Sequence, residues 1–347
     1  MKPNPGKPFT HHLMKPPSLP LSLPSISMLL LFFGSCAQTT TNTTNTTNTI
    51  SSSTALPTPP NHTNEKQVNP QTFSGHQDSS TALVDQKRTA ILPAGQQIST
   101  RIIAPPSYER VPATGHSFAE YLRHLPLKPH GSEVMLYVGS VKTNNDIYDA
   151  VINMKIGSKN LHQCADAVMR FKAEYLWNTK QYDKIHFNLT NGFRVDYKNW
   201  MQGQRVVVKG NHTFWKNKHA PSNTYEDFWK YMELIFSYAG TLSLSKELVP
   251  VQIKDMKIGD VFIRGGSPGH AVLVIDMAEN LITHDKVFLL AQSYMPAQET
   301  QILKNPSNSS ISPWYSLKEM TEAAERDQPL ITPEWSFEKN QLTRFQE

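Results

Sequence analysis

An α+β fold follows from three features of the chain. Two amphipathic helical segments, residues 163–178 and 224–238, come first. Three closely spaced strand segments, residues 260–264, 271–277 and 286–293, come after them. No repeat with a period of roughly 20–50 residues is present. Helices followed by an antiparallel meander, rather than regular βαβ alternation, is the α+β pattern.

The chain opens on a processing signal. Residues 1–36 carry Lys2, Lys7 and Lys15 and no acid, then an apolar run at residues 28–33 (MLLLFF), then Gly34, Ser35 and Cys36. A basic lead, a short greasy stretch and small residues form an export signal. The run is too short to span a bilayer, which takes about 20 apolar residues. The long lead leaves Met14 as an alternative start. Residues 37–104 include TTTNTTNTTNTISSSTALPTPPNHTNEKQ from Thr39 on, poor in large apolar side chains. Such a stretch buries too little surface to offset its ordering entropy, and a disordered linker is expected there. A single α+β domain is expected over residues 105–347.

Within that domain the elements fall in order. HSFAEYLRH at residues 116–124 suits a helix and leads into the turn-prone LPLKPHGS. Residues 134–138 (VMLYV) and 150–156 (AVINMKI) suit strands, the second ending at Gly157. In residues 163–178, Cys164, Val168, Phe171 and Tyr175 share one helical face. Residues 184–189 and 205–209 are further strands. In residues 224–238, Phe228, Tyr231, Leu234 and Ile235 share a face, and Gly240 stops the helix. The tail, with SPWYSL and TPEWSF, is expected to pack its tryptophans as a cover.

Cysteine use is sparse. Cys36 belongs to the signal, so Cys164 is the one thiol of the folded part. It opens a helix, where free backbone N–H groups and the dipole favour a thiolate. His270 follows the turn GGSPG at the mouth of a strand. An unpaired thiol and a histidine at an element's end are the parts of a cysteine nucleophile and its base. The plainer alternative is a buried cysteine filling the core. Strand alternation places His270, Val272, Val274 and Asp276 on one face. Asp276 lies about 20 Å along the strand and cannot orient His270. If residues 271–277 and 286–293 form a hairpin turning near Leu281, Gln292 falls opposite His270 or close to it and can fix its tautomer.

Other polar residues take quieter readings. Asp260 opens a strand through a turn bond. Asp166 and Glu174 look like charges on a solvated helix face, and Arg264 looks exposed. His162 with Cys164 makes an H-x-C pair, but no further cysteine or histidine completes a zinc set, so no metal is expected. No phosphate loop or dinucleotide fingerprint occurs, so no cofactor is expected. Removing residues 1–36 lowers the formal charge from +5 to +2, and no basic stripe remains that would suit nucleic acid.

The stretches FAEYLRHLPLKPHGSEVMLYVG, HQCADAVMRFKAEYL, FSYAGTLSLSKEL, GDVFIRGGSPGHAVLVIDMA, FLLAQSYMPAQE and SPWY resemble a bacterial family known only as domain of unknown function 4846. That family name brings no activity with it. Phe33-Gly34-Ser35-Cys36 resembles a relaxed bacterial lipobox, which implies lipidation of Cys36 and a lipoprotein anchored in the bacterial cell envelope, periplasmic or on the surface. An ordinary cleaved signal with an incidental cysteine is the alternative.

A remoter resemblance carries chemistry. A Cys at a helix N-terminus, a GD-opening strand, a GH-opening strand and a third strand with a polar residue resemble the papain-like amidases and peptidases of the NlpC and CHAP types. The resemblance implies a papain-like core with the Cys-bearing helix packed on an antiparallel sheet. It implies Cys164 as nucleophile, His270 as base and Gln292 as orienter. The Asp or Ser neighbours usual for the cysteine of those families are missing here, and Gln163 precedes Cys164. The expectation is a cysteine hydrolase acting on an amide in a peptide or peptidoglycan-like substrate. The alternatives are a non-catalytic binding or assembly module on the same scaffold and a thioester-forming acyltransferase.

Overall fold

The structure of the chain, a computed structural model, describes residues 90–346. The signal, Cys36 and most of the expected linker lie outside the described residues. Folded structure starts earlier than position 105. Ile98 and Ile102 are fully buried, and the Trp314 indole N–H donates to Ile103 O at 2.8 Å. The end of the expected linker is therefore part of the domain, because it supplies core side chains.

The architecture is α+β, a mixture of helices and antiparallel sheet. The main sheet has nine strands. Its path runs from Tyr148–Val151 through Gln301–Leu303, Lys286–Gln292, His270–Asn280, Val261–Arg264 and Leu342–Arg344 to Val249–Pro250. Tyr108–Arg110 pairs with the far end of His270–Asn280, and Tyr315–Ser316 pairs with Lys286–Gln292. Cys164–Asn178, Phe118–Arg123 and Thr241–Glu247 pack on one face, and Tyr225–Tyr238 packs against Cys164–Asn178. The other face is covered by C-terminal segments, with Leu317, Met320 and Phe337 packed on Phe262, Val272 and Leu290.

Local chemistry starts each helix. The Gln163 N–H donates to Asp166 Oδ2 at 3.0 Å ahead of Cys164–Asn178, and Thr224 Oγ1 accepts from the Asp227 N–H ahead of Tyr225–Tyr238. Ser117 caps Phe118–Arg123 in the same way. The first of these helices is buried on more than one face: Asp166, Arg170 and Glu174 are each no more than 5 % exposed. The expectation that Asp166 and Glu174 face solvent is thus corrected. Glu174 accepts from Tyr225 Oη at 2.6 Å and from Arg170 Nε at 3.3 Å, and this pairing allows a charge inside.

Two expected strands are shortened. Residues 134–138 form only isolated bridges, Met135 with Val141 and Leu136 with Gln298. Gly139 at φ 83° closes a tight turn there, with its N–H on Leu136 O. The strand over residues 150–156 ends at Val151, where its pairing with Gln301–Leu303 runs out.

The His270–Asn280 strand organises the fold. Every residue from 270 to 278 is buried, because helices cover one face and the tail covers the other. Its pairing with Lys286–Gln292 contains a bulge: Val274 faces Leu290, but Asp276 faces Leu289, which leaves Ile275 as an extra residue. Ile275 and Asp276 therefore both turn to the helical face, and Asp276 does not share a face with His270, Val272 and Val274. There Asp276 accepts from Arg110 Nε at 2.6 Å and Arg123 Nε at 2.8 Å. Asp260 opens its strand as expected, accepting from the Lys257 N–H at 2.8 Å, and also holds Arg344 through both carboxylate oxygens.

Removing Asp276 leaves two guanidinium groups without their shared counter-charge. Asp276→Ala is expected to lower stability by about 3–5 kcal/mol in urea denaturation. A loss below about 1 kcal/mol would show that the pair does not hold the bulge.

Candidate functional site

Cys164 is the first residue of its helix, and His270 is the first residue of its strand. Both line one cleft of about 290 Å³, together with Gln163, Gly269, Tyr294 and Trp335. A hydrogen bond from the Ala271 backbone N–H favours the Cys164 thiolate, which sets the sulfur against the residue next to His270. Gln292 ends the neighbouring strand. Its Oε1 accepts from His270 Nε2 at 2.8 Å. By register Gln292 is the diagonal rather than the direct partner, since Ala291 faces Leu273. His270 and Gln292 are thus hydrogen-bonded, and Cys164 lines the same cleft as His270.

The tautomer of His270 follows from what lies behind Gln292. The Gln292 amide N–H donates to Glu334 Oε2 at 2.6 Å. A carboxylate only accepts, so the NH2 end of the amide must face Glu334 and the oxygen must face the ring. His270 Nε2 must then carry the proton, and Nδ1 keeps its lone pair. Lys142 Nζ lies 2.9 Å from each oxygen of Glu334. Tyr294, Trp335 and Phe337 surround the ring at centroid distances of 4.9, 5.3 and 6.0 Å. The tail motif TPEWSF is a cover, as expected, and it also delivers Glu334.

Electrostatics correct one expectation. A helix N-terminus was expected to lower the thiol pKa. Burial instead pushes Cys164 up to about 11. The Ala271 N–H opposes this, while the Asp166 charge adds to it. The thiol is 7 % exposed, and loss of solvent outweighs the helix terminus. Burial also lowers His270 to about 4, against the Gln292 hydrogen bond and the Glu334 charge. At neutral pH the pair rests as thiol and neutral imidazole, not as an ion pair.

Several site residues were not evident from the sequence. Asn160 lines the cleft, and its Oδ1 accepts from the Ala297 N–H at 2.7 Å and from Gln163 Nε2 at 3.3 Å. Its Nδ2 group has no partner among the described residues. Lys142 and Glu334 are separated from Cys164 and from each other along the chain, and no motif marks them. His162 is buried, with Nδ1 at 3.2 Å from Gln298 O; burial lowers its pKa to about 3. Among the described residues no group of three or more His, Cys, Asp or Glu is placed to hold a metal ion. Arg264 lies opposite His270 across the strand pair and is exposed.

With the fold and cleft described, the class is an α+β domain with a buried His–Gln pair and a free cysteine lining one cleft. The model of the domain of unknown function 4846 matches residues 98–344, and the chain belongs to that family. No curated protein and no solved structure matches the chain.

Ring nitrogen spectroscopy tests the tautomer. Long-range proton–nitrogen correlation is expected to show His270 protonated at Nε2 and neutral down to about pH 4. Glu334→Gln frees the Gln292 amide to turn over, and a mixture of tautomers is expected. A wild-type ring that titrates near its ordinary value, about 6.5, would contradict this geometry.

Proposed function

We propose that the domain is a cysteine hydrolase acting on an amide bond, with Cys164 as nucleophile, His270 as base and Gln292 as orienter. One observation carries the reading: the Lys142–Glu334–Gln292 chain fixes His270 with its Nδ1 lone pair unused, in the same cleft as the free thiol. The order Cys, His, polar orienter and the packing of the Cys helix on an antiparallel sheet favour the papain-like comparison.

In this mechanism the thiol proton passes to His270 Nδ1 as sulfur attacks the carbonyl carbon. The tetrahedral oxyanion is met by the Cys164 backbone N–H, free at the helix start, and by the Asn160 amide. His270 then gives the proton to the leaving nitrogen as the C–N bond breaks. Water, activated by the neutral ring, releases the acid product from the thioester. Proton transfer accompanies attack, so the high thiol pKa is compatible with turnover. A peptide or peptidoglycan-like amide is the proposed substrate class. The signal motif supports export and anchoring of the domain in the bacterial envelope through lipid on Cys36, a proposal that metabolic labelling of wild type and Cys36→Ser with a tagged fatty acid would test.

The depth of the thiol favours a second reading, a non-catalytic envelope module in which Cys164 is packing. Variants separate the two. With envelope peptide fragments as substrates, Cys164→Ala is expected to abolish turnover and the covalent intermediate seen by intact mass. His270→Ala is expected to reduce turnover by roughly 10²–10⁴-fold. Wild-type activity should persist down to about pH 4, where His270 becomes protonated and can no longer accept a proton. A folded Cys164→Ser protein with full biological function would leave only the non-catalytic module.

A further inference from the structure

Asp166 carries more than its structural duty requires. As the third residue of the Cys164 helix it needs one acceptor, and Oδ2 serves by taking the Gln163 N–H at 3.0 Å. The other oxygen, Oδ1, is buried and has no hydrogen-bond partner. The residue is 5 % exposed and lines the same cleft as Cys164 and His270. No lysine or arginine lines that cleft. A buried acceptor without a donor is costly, more so if charged, so such an atom is normally matched by a ligand or by water.

We infer that Asp166 Oδ1 receives a primary ammonium group of the substrate, held beside the amide that Cys164 attacks. This rests on the hydrolase reading above and narrows its substrate class. An amino-terminal residue or a lysine-type side chain would supply that group. Burial pushes the Asp166 carboxyl up to about 8, and its negative charge helps to raise the thiol. An ammonium seated on Oδ1 stabilises the ionised carboxylate, which burial otherwise keeps largely protonated at neutral pH.

Three chloromethyl ketones test the inference: alanyl with a free amino group, acetyl-alanyl, and acetyl-lysyl. Each alkylates the sulfur as chloride leaves, and intact mass of the full chain reports the rate at Cys164. At least one of the two cationic reagents is expected to label roughly tenfold faster than acetyl-alanyl, the scale of one charged hydrogen bond. Which of them does so identifies the source of the ammonium. Asp166→Asn keeps the cap acceptor and should bring the three rates to within about twofold. In the wild type, ethylammonium chloride should slow the preferred reagent while ethanol does not, a measurement that needs no variant to fold. Equal rates in the wild type, a preference that survives Asp166→Asn, or no competition by ethylammonium would overturn the inference alone. If none of the three labels Cys164 in folded protein, the hydrolase reading falls and takes the inference with it.

Discussion

The central constraint on this molecule is a strand with no face in water. From His270 to Ala278 every residue is buried, the helices on one side and the C-terminal tail on the other. Apolar side chains gain from that position, but a polar one must bring its partners inside. The strand carries two such residues. Asp276 draws in Arg110 and Arg123, and His270 draws in Gln292, Glu334 and Lys142. One cluster ties the segments before the Cys164 helix to the sheet. The other ties the tail to the cleft.

This places the candidate site at a junction of layers. The helix layer contributes Cys164, the sheet contributes His270 and Gln292, and the tail contributes Glu334 with the Trp335 ring. The Lys142–Glu334 charge pair does not face the thiol. It acts through the Gln292 amide, whose two ends cannot be exchanged without facing acceptor to acceptor. A buried polar chain of this kind is worth having only when every member is satisfied. Asp166 Oδ1 and Trp335 Nε1 are the exceptions among the residues lining the cleft, and an unsatisfied acceptor in the cleft of a free thiol is where substrate chemistry is best sought.

Some of this was legible in the linear sequence. The two long helices declared themselves through apolar spacing. The hairpin joining the His270 and Gln292 strands followed from two apolar runs around a short polar turn. The site triplet followed from one thiol, one glycine-flanked histidine and one amide at a strand end. Face assignments were less legible. The alternation that put Asp276 beside His270 failed at the Ile275 bulge, which is an insertion in pairing and leaves no mark in composition. Asp166 and Glu174 looked solvated because their helix was treated as having one buried side.

What the sequence alone determined was therefore local: helical periodicity, capping, turn chemistry and the scarcity of cysteine act over a few residues and are written there. Tertiary structure decided the thiol's protonation, the histidine tautomer and the burial of Asp166. Those depend on the dielectric and on partners brought from distant positions, Lys142 and Glu334 foremost. Solvent exclusion is a property of packed layers, so no stretch of chain could announce that the Cys164 thiol would sit near 11 rather than below its ordinary value.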